Sequence, residues 1–275
     1  MRRSIHLFFV LGILFTLQSC TQEGSIENPD NLAAPSLPPT SLFTIPTQSF
    51  GLVSDKESSS TRNEKSNWIH AGLNVLVWNS VVFINTAVPI AAFSHSFEYK
   101  PEFLGNKTWE WKYQYQAPPV DGSKKYDVSL TGKYISNIEE VAWTMTVTEE
   151  GNSNGFVWFE GVVSTDHSMA RFTVNKDPQD PKPYMEISSS RNLDSNDVTI
   201  RFSNILANDP GKGDYIEWRT HNGNEYDRAY DVFTNDDLLE IEANESSKEG
   251  RVKHPSHFND DEWQCWDSDK FNIDC

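Results

Sequence analysis

Beyond residue 107, apolar and polar residues alternate in short runs, and this pattern limits the possible folds more than any other feature of the chain. Successive side chains of a β-strand point to opposite faces, so a period of two predicts a half-buried strand. Similar runs recur at 141–148, 198–203 and 215–219, and 156–159 is more continuously apolar. The clearest run, 108–116, places four aromatic residues on one face: Trp109, Trp111, Tyr113 and Tyr115.

Clusters of Gly, Asn, Asp and Pro separate these runs, as at 118–122, 150–155 and 209–213. Such residues supply the backbone angles that tight turns need. The short connections leave no room for the helical crossovers of a parallel sheet. The sequence therefore predicts a mainly β fold, an antiparallel meander of about ten strands that forms a barrel or a strongly curved sheet.

Residues 66–97 contain no Asp, Glu, Lys or Arg, and most of 72–93 is apolar. By length this stretch could span a membrane. Its polar residues fall on several sides of a helix, which a helix facing lipid should avoid. We predict a buried helix over about 67–95, kinked or ended near Pro89 and packed on or in the sheet. A transmembrane helix, or a hairpin at 74–84, is the alternative.

The amino terminus resembles a bacterial lipoprotein signal. Arg2 and Arg3 precede an 11-residue apolar run, Leu7 to Leu17, which is too short to span a bilayer. The junction 17–20 resembles a lipobox, in which the cysteine becomes acylated. We predict a signal peptide at 1–19 and a lipid anchor on Cys20, with several acyl chains giving a stable attachment.

After the signal, 20–66 is rich in Pro, Ser, Thr, Asn and Gln, which predicts a flexible tether. Its short apolar pieces at 42–43 and 50–53 are candidates to dock on the folded part. A single β-rich domain is predicted over 67–275. Cys265 and Cys275 form an even pair in an exported chain, so a disulfide is predicted, with two free thiols as the alternative.

The formal net charge is −17, and removing 1–19 takes away two arginines and no acid, which gives −19. No cluster of Lys and Arg is present, which argues against nucleic acid and against spreading on anionic lipid. The sequence predicts no cofactor. The remaining candidate partners are the membrane, through lipid on Cys20, an apolar small molecule and an envelope protein.

Four polar segments carry residue types found in catalytic or metal sites. Thr165 to Ser168 contains Asp166 and His167, but neighbouring strand residues face apart, so it reads as a hairpin turn. His254 and His257, followed by acids at 260–262, carry zinc ligand types. Their spacing lacks the helical i, i+4 pattern and Pro255 argues against a helix, so no metal site is predicted. The acidic turns 192–197 and 235–237 carry oxygen ligands that calcium favours, but neither matches the spaced calcium loop with its central glycine, so solvated turns are predicted.

The aromatic residues of the strands are the candidate binding residues. They line an apolar pocket if the helix leaves part of the sheet interior unfilled, and otherwise they form the core. The six candidates are Trp109, Trp111, Tyr113, Trp143, Trp158 and Trp218.

The carboxyl-terminal pattern resembles a group of uncharacterised outer-membrane lipoproteins of Bacteroidetes-type bacteria. The similar segments are 250–255, 262–267, the final Asp274 and Cys275, and, upstream, 78–79, 88–93 and 108–111. The resemblance implies lipid anchoring in the outer membrane, because residues 21–22 lack an aspartate of the inner-membrane retention kind; the membrane face stays open. It implies no catalytic residue.

Together these features favour a non-enzymatic envelope lipoprotein that binds an apolar ligand or a protein partner. An extracytoplasmic hydrolase acting on a glycan or an ester, and a structural accessory of an envelope complex, are the alternatives. For the hydrolase, the forty acids offer no distinctive pair of carboxylates.

Overall fold

A computed structural model describes residues 31–50, 63–116, 124–152, 154–177 and 180–275. The predicted signal at 1–19 and the predicted lipid anchor on Cys20 lie outside the described residues. The same holds for 20–30 and 51–62 of the predicted tether.

Within the described residues, the β structure is one sheet of fourteen antiparallel strands in which every strand pairs with its neighbours in the sequence. The predicted antiparallel meander is confirmed. The predicted number of about ten strands is wrong, because the short strands hold too few residues to show an alternating pattern. The strands are β1 (Glu102–Gly105), β2 (Thr108–Gln116), β3 (Lys125–Ile135), β4 (Glu140–Glu149), β5 (Phe156–Ser164), β6 (Met169–Asp177), β7 (Asp180–Arg191), β8 (Val198–Asn204), β9 (Tyr215–Thr220), β10 (Arg228–Thr234), β11 (Asp237–Ala243), β12 (Gly250–Lys253), β13 (Gln264–Trp266) and β14 (Asn272–Ile273).

The sheet does not close into a barrel, which corrects the first of the two predicted architectures. Among the described residues, no pairing joins β1 to β14, so these two strands are its edges. They are four and two residues long, and short edge strands offer little template for pairing with another chain. Closure is not needed to bury the inner face, because a helix and a segment of extended chain cover it.

The long helix α1 (Ser66–His95) matches the predicted helical region. Its two arms, Ser66–Phe83 and Thr86–Glu98, meet at 64°. Pro89 explains a bend at this place, since a proline lacks an N–H and its ring crowds the carbonyl four residues before it. No single helix in the described part of the chain is long and apolar enough to cross a membrane, although the two arms together pass that test by length and composition.

The inner face of the sheet and α1 form one apolar core. Trp68, Val75 and Val82 of the helix are all buried against it. At one end of α1, Asn67 Nδ2 donates to the Cys265 carbonyl of β13 at 3.0 Å, and near the other end the Tyr113 hydroxyl of β2 donates to the Ala92 carbonyl at 2.7 Å. Both ends of the sheet therefore contact one helix.

This bridging requires a curved sheet. Strands lie about 4.8 Å apart, so β2 and β13 would be about 53 Å apart if the sheet were flat. The helix from Asn67 to Ala92 rises at most about 38 Å at 1.5 Å per residue, even before its bend is considered. The sheet therefore curves around α1.

Residues 31–50 lie inside the predicted tether, yet part of this stretch packs across the inner face. Leu42, Phe43, Ile45 and Phe50 are all buried, and the Phe43 ring lies 5.5 Å from that of Phe93 in α1. A short 3-10 helix (Thr40–Phe43) places the first two of these residues. The flexible tether predicted for 20–66 therefore does not extend through this stretch, because its apolar residues gain more by burial than by staying in water.

Cys265 and Cys275 are joined, with Cα atoms 5.3 Å apart, which agrees with the predicted disulfide. The bond ties the last residue of the chain to β13. Reducing it is expected to lower the free energy of unfolding by roughly 2–3 kcal/mol, because the reduced unfolded chain regains the freedom of an 11-residue loop. Urea unfolding with and without a reductant measures this difference, and equal midpoints would contradict the expectation.

Candidate functional site

The six aromatic residues predicted to bind a ligand all lie in the core. Each is at most 9% exposed, and all belong to the same packed cluster. Trp111 and Trp143 lie 5.6 Å apart between ring centres. A bulge in β5 leaves Trp158 without a partner residue in β4, and its ring contacts Tyr126. Their packing is that of core residues, and their predicted role in ligand binding stays a prediction.

A small cavity of about 70 Å³ lies beside Trp143, lined also by Pro35, Ser164 and His167. The His167 Nδ1 atom is buried and has no hydrogen-bond partner among the described residues. His167 has φ 56° and lies in the turn between β5 and β6, as the sequence predicts. The cavity has room for one or two water molecules, which suits a buried nitrogen that needs a partner.

Three histidines meet where α1 passes the carboxyl-terminal segment, and we call them the histidine cluster: His70, His254 and His257. The His70 and His257 rings stack at 3.8 Å with an interplanar angle of 8°. His70 Nε2 lies 2.8 Å from His254 Nδ1, and His254 Nε2 lies 2.8 Å from Asp237 Oδ2. The cluster thus joins α1, β11 and the segment after β12 through a chain of hydrogen bonds.

The Asp237 carboxylate determines which nitrogen atoms donate and which accept in this series of hydrogen bonds. His254 donates from Nε2 to the carboxylate, so its Nδ1 in the neutral ring accepts, and His70 Nε2 is the donor. Burial first, and then repulsion from His257 and His254, lowers the pKa of His70 to about 4. The pKa of Asp237 is also lowered, chiefly by the hydrogen bond from the Ser256 hydroxyl. His70 is therefore neutral near pH 7.

The cluster lacks the arrangement of a catalytic triad. In a triad, the nucleophile and the carboxylate occupy opposite nitrogens of one imidazole. Here the Ser256 hydroxyl and the Asp237 carboxylate both face Nε2 of His254, at 3.1 and 2.8 Å. That nitrogen already gives its proton to the carboxylate, so it cannot accept one from the serine. The cluster can relay a proton, but it does not activate Ser256.

Pro255 begins a one-turn helix, α2 (Pro255–Phe258), which corrects the expectation that proline prevents a helix here. At the first helical position the missing N–H costs nothing, and the fixed φ suits the helix. This turn brings His257 back onto His70. No group of three or more His, Cys, Asp or Glu among the described residues is placed to hold a metal ion.

Many acids on the outer face of the sheet are paired with arginines. Arg219 bonds both oxygens of Asp231, at 2.6 and 2.7 Å, and also bonds Glu217. Arg201 bonds Glu217 from the other side at 2.8 Å. The hydrogen bond to Asp231 is the main cause that raises the pKa of Arg219. These carboxylates are held in ion pairs that link neighbouring strands of the sheet.

The most unusual surface lies on α1, on the side that faces away from the sheet. We define the outer face of α1 by Leu73, Val77 and Phe83, which are 50%, 61% and 65% exposed. Val81, one turn beyond Val77, is 36% exposed. The predicted burial of the helix is therefore correct for one side only. A helix that is apolar on all sides is normally covered on all sides.

Four polar residues on α1 direct a hydrogen bond back into the helix. Asn74 Nδ2 donates to the His70 carbonyl at 2.9 Å, and Ser80 Oγ donates to the Leu76 carbonyl at 2.8 Å. Thr86 and Ser94 each make the same bond to the carbonyl four residues earlier. Each of these groups has a hydrogen-bond partner within the helix. Their polar atoms therefore add little polar character to the outer face of α1, which also carries no charge.

In comparisons with known proteins, no family model, no curated protein and no solved structure matches this chain. What the fold and its surfaces define is a curved, open antiparallel sheet with a half-exposed apolar helix on its inner side.

Sequence reasoning found part of this site. It singled out His254 and His257, and it noted the uncharged stretch 66–97, but it read that stretch as buried. It missed His70 and the role of Asp237. The available signal was that His70 is one of two titratable residues, with His95, in a helix that contains no Asp, Glu, Lys or Arg. Only the fold shows that His70 meets the carboxyl-terminal segment.

Proposed function

We propose that this chain is an envelope lipoprotein, held at the outer membrane by lipid on Cys20, whose domain acts as a non-enzymatic binding module. The observation that carries the proposal is the outer face of α1, an exposed and uncharged apolar surface. Contiguous exposed apolar surfaces mark sites of interaction. The resemblance to Bacteroidetes-type lipoproteins supports the anchor and the compartment.

The filled core argues for surface binding rather than for binding inside the sheet. The six aromatic candidates pack against one another and their neighbours in the core. The outer face of α1 therefore replaces them as the proposed binding surface. The hydrolase alternative is not proposed, since the histidine cluster lacks triad geometry and the acids around Arg219 are used in ion pairs.

Thiol labelling of the lipoprotein in its own membranes tests this proposal. Acylation of Cys20 and the disulfide leave no free thiol, so Val77→Cys introduces a single reactive site. We expect this site to react slowly with a membrane-impermeant maleimide in intact membranes and quickly after solubilisation in detergent. Leu193→Cys is the matched control, since Leu193 is 56% exposed in the turn between β7 and β8.

Position 193 should react at the same rate in both conditions. Equal reactivity of positions 77 and 193 in intact membranes would show that the outer face of α1 is uncovered, and the proposed binding role of this face would be lost. Failure of radioactive palmitate to distinguish the parent chain from Cys20→Ala would refute the anchor separately.

A further inference from the structure

We propose that the outer face of α1 rests on the lipid bilayer itself, so that the domain is seated on the membrane that carries its anchor. This inference rests on the proposed function, because it names the occupant of the same surface. Leu73, Val77 and Phe83 would enter the boundary between headgroups and acyl chains, to a depth of about 5–10 Å as amphipathic surface helices do.

The chemistry of α1 fits lipid better than it fits a protein surface. The whole stretch 66–97 contains no Asp, Glu, Lys or Arg. Protein interfaces usually have a polar rim and charged groups that fix the orientation of the partner. Asn74 and Ser80 lie within one turn of Val77. Each donates a side-chain hydrogen bond to a carbonyl of the helix itself. A hydrocarbon environment demands such internal satisfaction.

The length of the chain outside the structure also favours the bilayer. Ten residues, 21–30, lie between Cys20 and residue 31, where the described structure begins. Even fully extended, they span at most about 40 Å. A folded unit of this size has a radius of gyration of about 18 Å. The anchor therefore holds the domain within about 40 Å of the bilayer, which keeps the membrane at high effective concentration around it.

A second copy of this chain is the less favourable occupant. Each mature copy would carry a net charge of −19, which opposes close approach of two copies. A neutral bilayer imposes no comparable repulsion. We therefore commit to a zwitterionic phospholipid surface as the occupant.

Fluorescence quenching from within the membrane tests the inference. The complete acylated lipoprotein carrying Val77→Cys is labelled with an environment-sensitive dye and reconstituted, at low protein density, into vesicles of phosphatidylcholine and phosphatidylethanolamine. We expect lipids with a spin label on the acyl chain to quench the dye at position 77. The Leu193→Cys protein, labelled in the same way and held by the same anchor, should keep its fluorescence.

A second variant separates lipid contact from chance proximity. Adding Leu73→Glu to Val77→Cys places a carboxylate beside the dye, and quenching should be lost while circular dichroism stays that of the parent. No quenching at position 77 in the parent background would overturn the inference. If position 77 were nevertheless protected in native membranes, a protein would be the occupant and the proposed function would stand. Crosslinking between two position-77 thiols would identify that protein as a second copy.

Discussion

Trp143→Ala is expected to lower the free energy of unfolding by about 3–5 kcal/mol, the largest effect of any single change considered. Trp143 is 1% exposed and packs against Trp111. Its ring also lies over Gly132, where an added Cβ would come within 2.9 Å of it. Truncation therefore removes a large buried surface and leaves a cavity that the curved sheet cannot collapse to fill. Urea denaturation followed by circular dichroism measures the loss.

Trp263→Ala is the matched control, because it removes the same side chain from a partly exposed position under Arg251, 4.4 Å from the ring centre. A cation over an exposed ring contributes about 0.5–1 kcal/mol, so the control should cost far less. The comparison also bears on function. If Trp143→Ala cost no more than the control, the ring would be the wall of an open pocket, and the aromatic binding site predicted from the sequence would regain support.

Acidification from pH 6.5 to 4 is expected to destabilise the fold through the histidine cluster, by up to about 3 kcal/mol at one pKa unit per about 1.4 kcal/mol. The pKa of His70 is lowered to about 4 by burial and by the neighbouring histidines. Between pH 6.5 and 4, His70 is mostly protonated in the unfolded chain and mostly neutral in the folded chain. Stability therefore falls as the pH drops through this window, and partial exposure of the ring to solvent reduces the effect.

His70→Gln is expected to flatten the dependence of the unfolding free energy on pH between 6.5 and 4. The same substitution at His221, in the turn between β9 and β10, controls for the loss of one imidazole elsewhere. Below this window the lowered pKa of Asp237 adds a separate loss as its carboxylate takes up a proton. Parallel profiles for His70→Gln and the parent would show that the cluster does not govern the acid response.

Protonation of the histidine cluster is expected to weaken one contact within the domain as well as the stability of the whole fold. The histidine cluster joins α1 to α2, and His70 lies one turn before Leu73 at the border of the outer face of α1. A proton on two of the three stacked rings would place like charges within 6 Å of each other. Acid is therefore expected to loosen the carboxyl-terminal segment from α1 before the remainder of the sheet unfolds.

Much of the architecture follows from residues that are close together in the chain, so the sequence by itself determined it. The alternation of Trp109, Trp111 and Tyr113 with polar residues selects the buried face of β2, and short turns force antiparallel neighbours. The limits of α1 and its bend near Pro89 follow from the uncharged stretch and from the chemistry of proline. Each depends on residues close together in the chain, so no knowledge of distant contacts is needed.

Only the tertiary structure decided which surfaces remain free and which residues meet. That the sheet stays open depends on the covering of its inner face by α1 and residues 31–50, a balance of packing between distant segments. The contact of His70 with His254 spans 184 positions of the chain. The sequence of an apolar helix likewise does not show which of its sides is buried and which is exposed. The outer face of α1 could be recognised only once the sheet was seen to cover the opposite side.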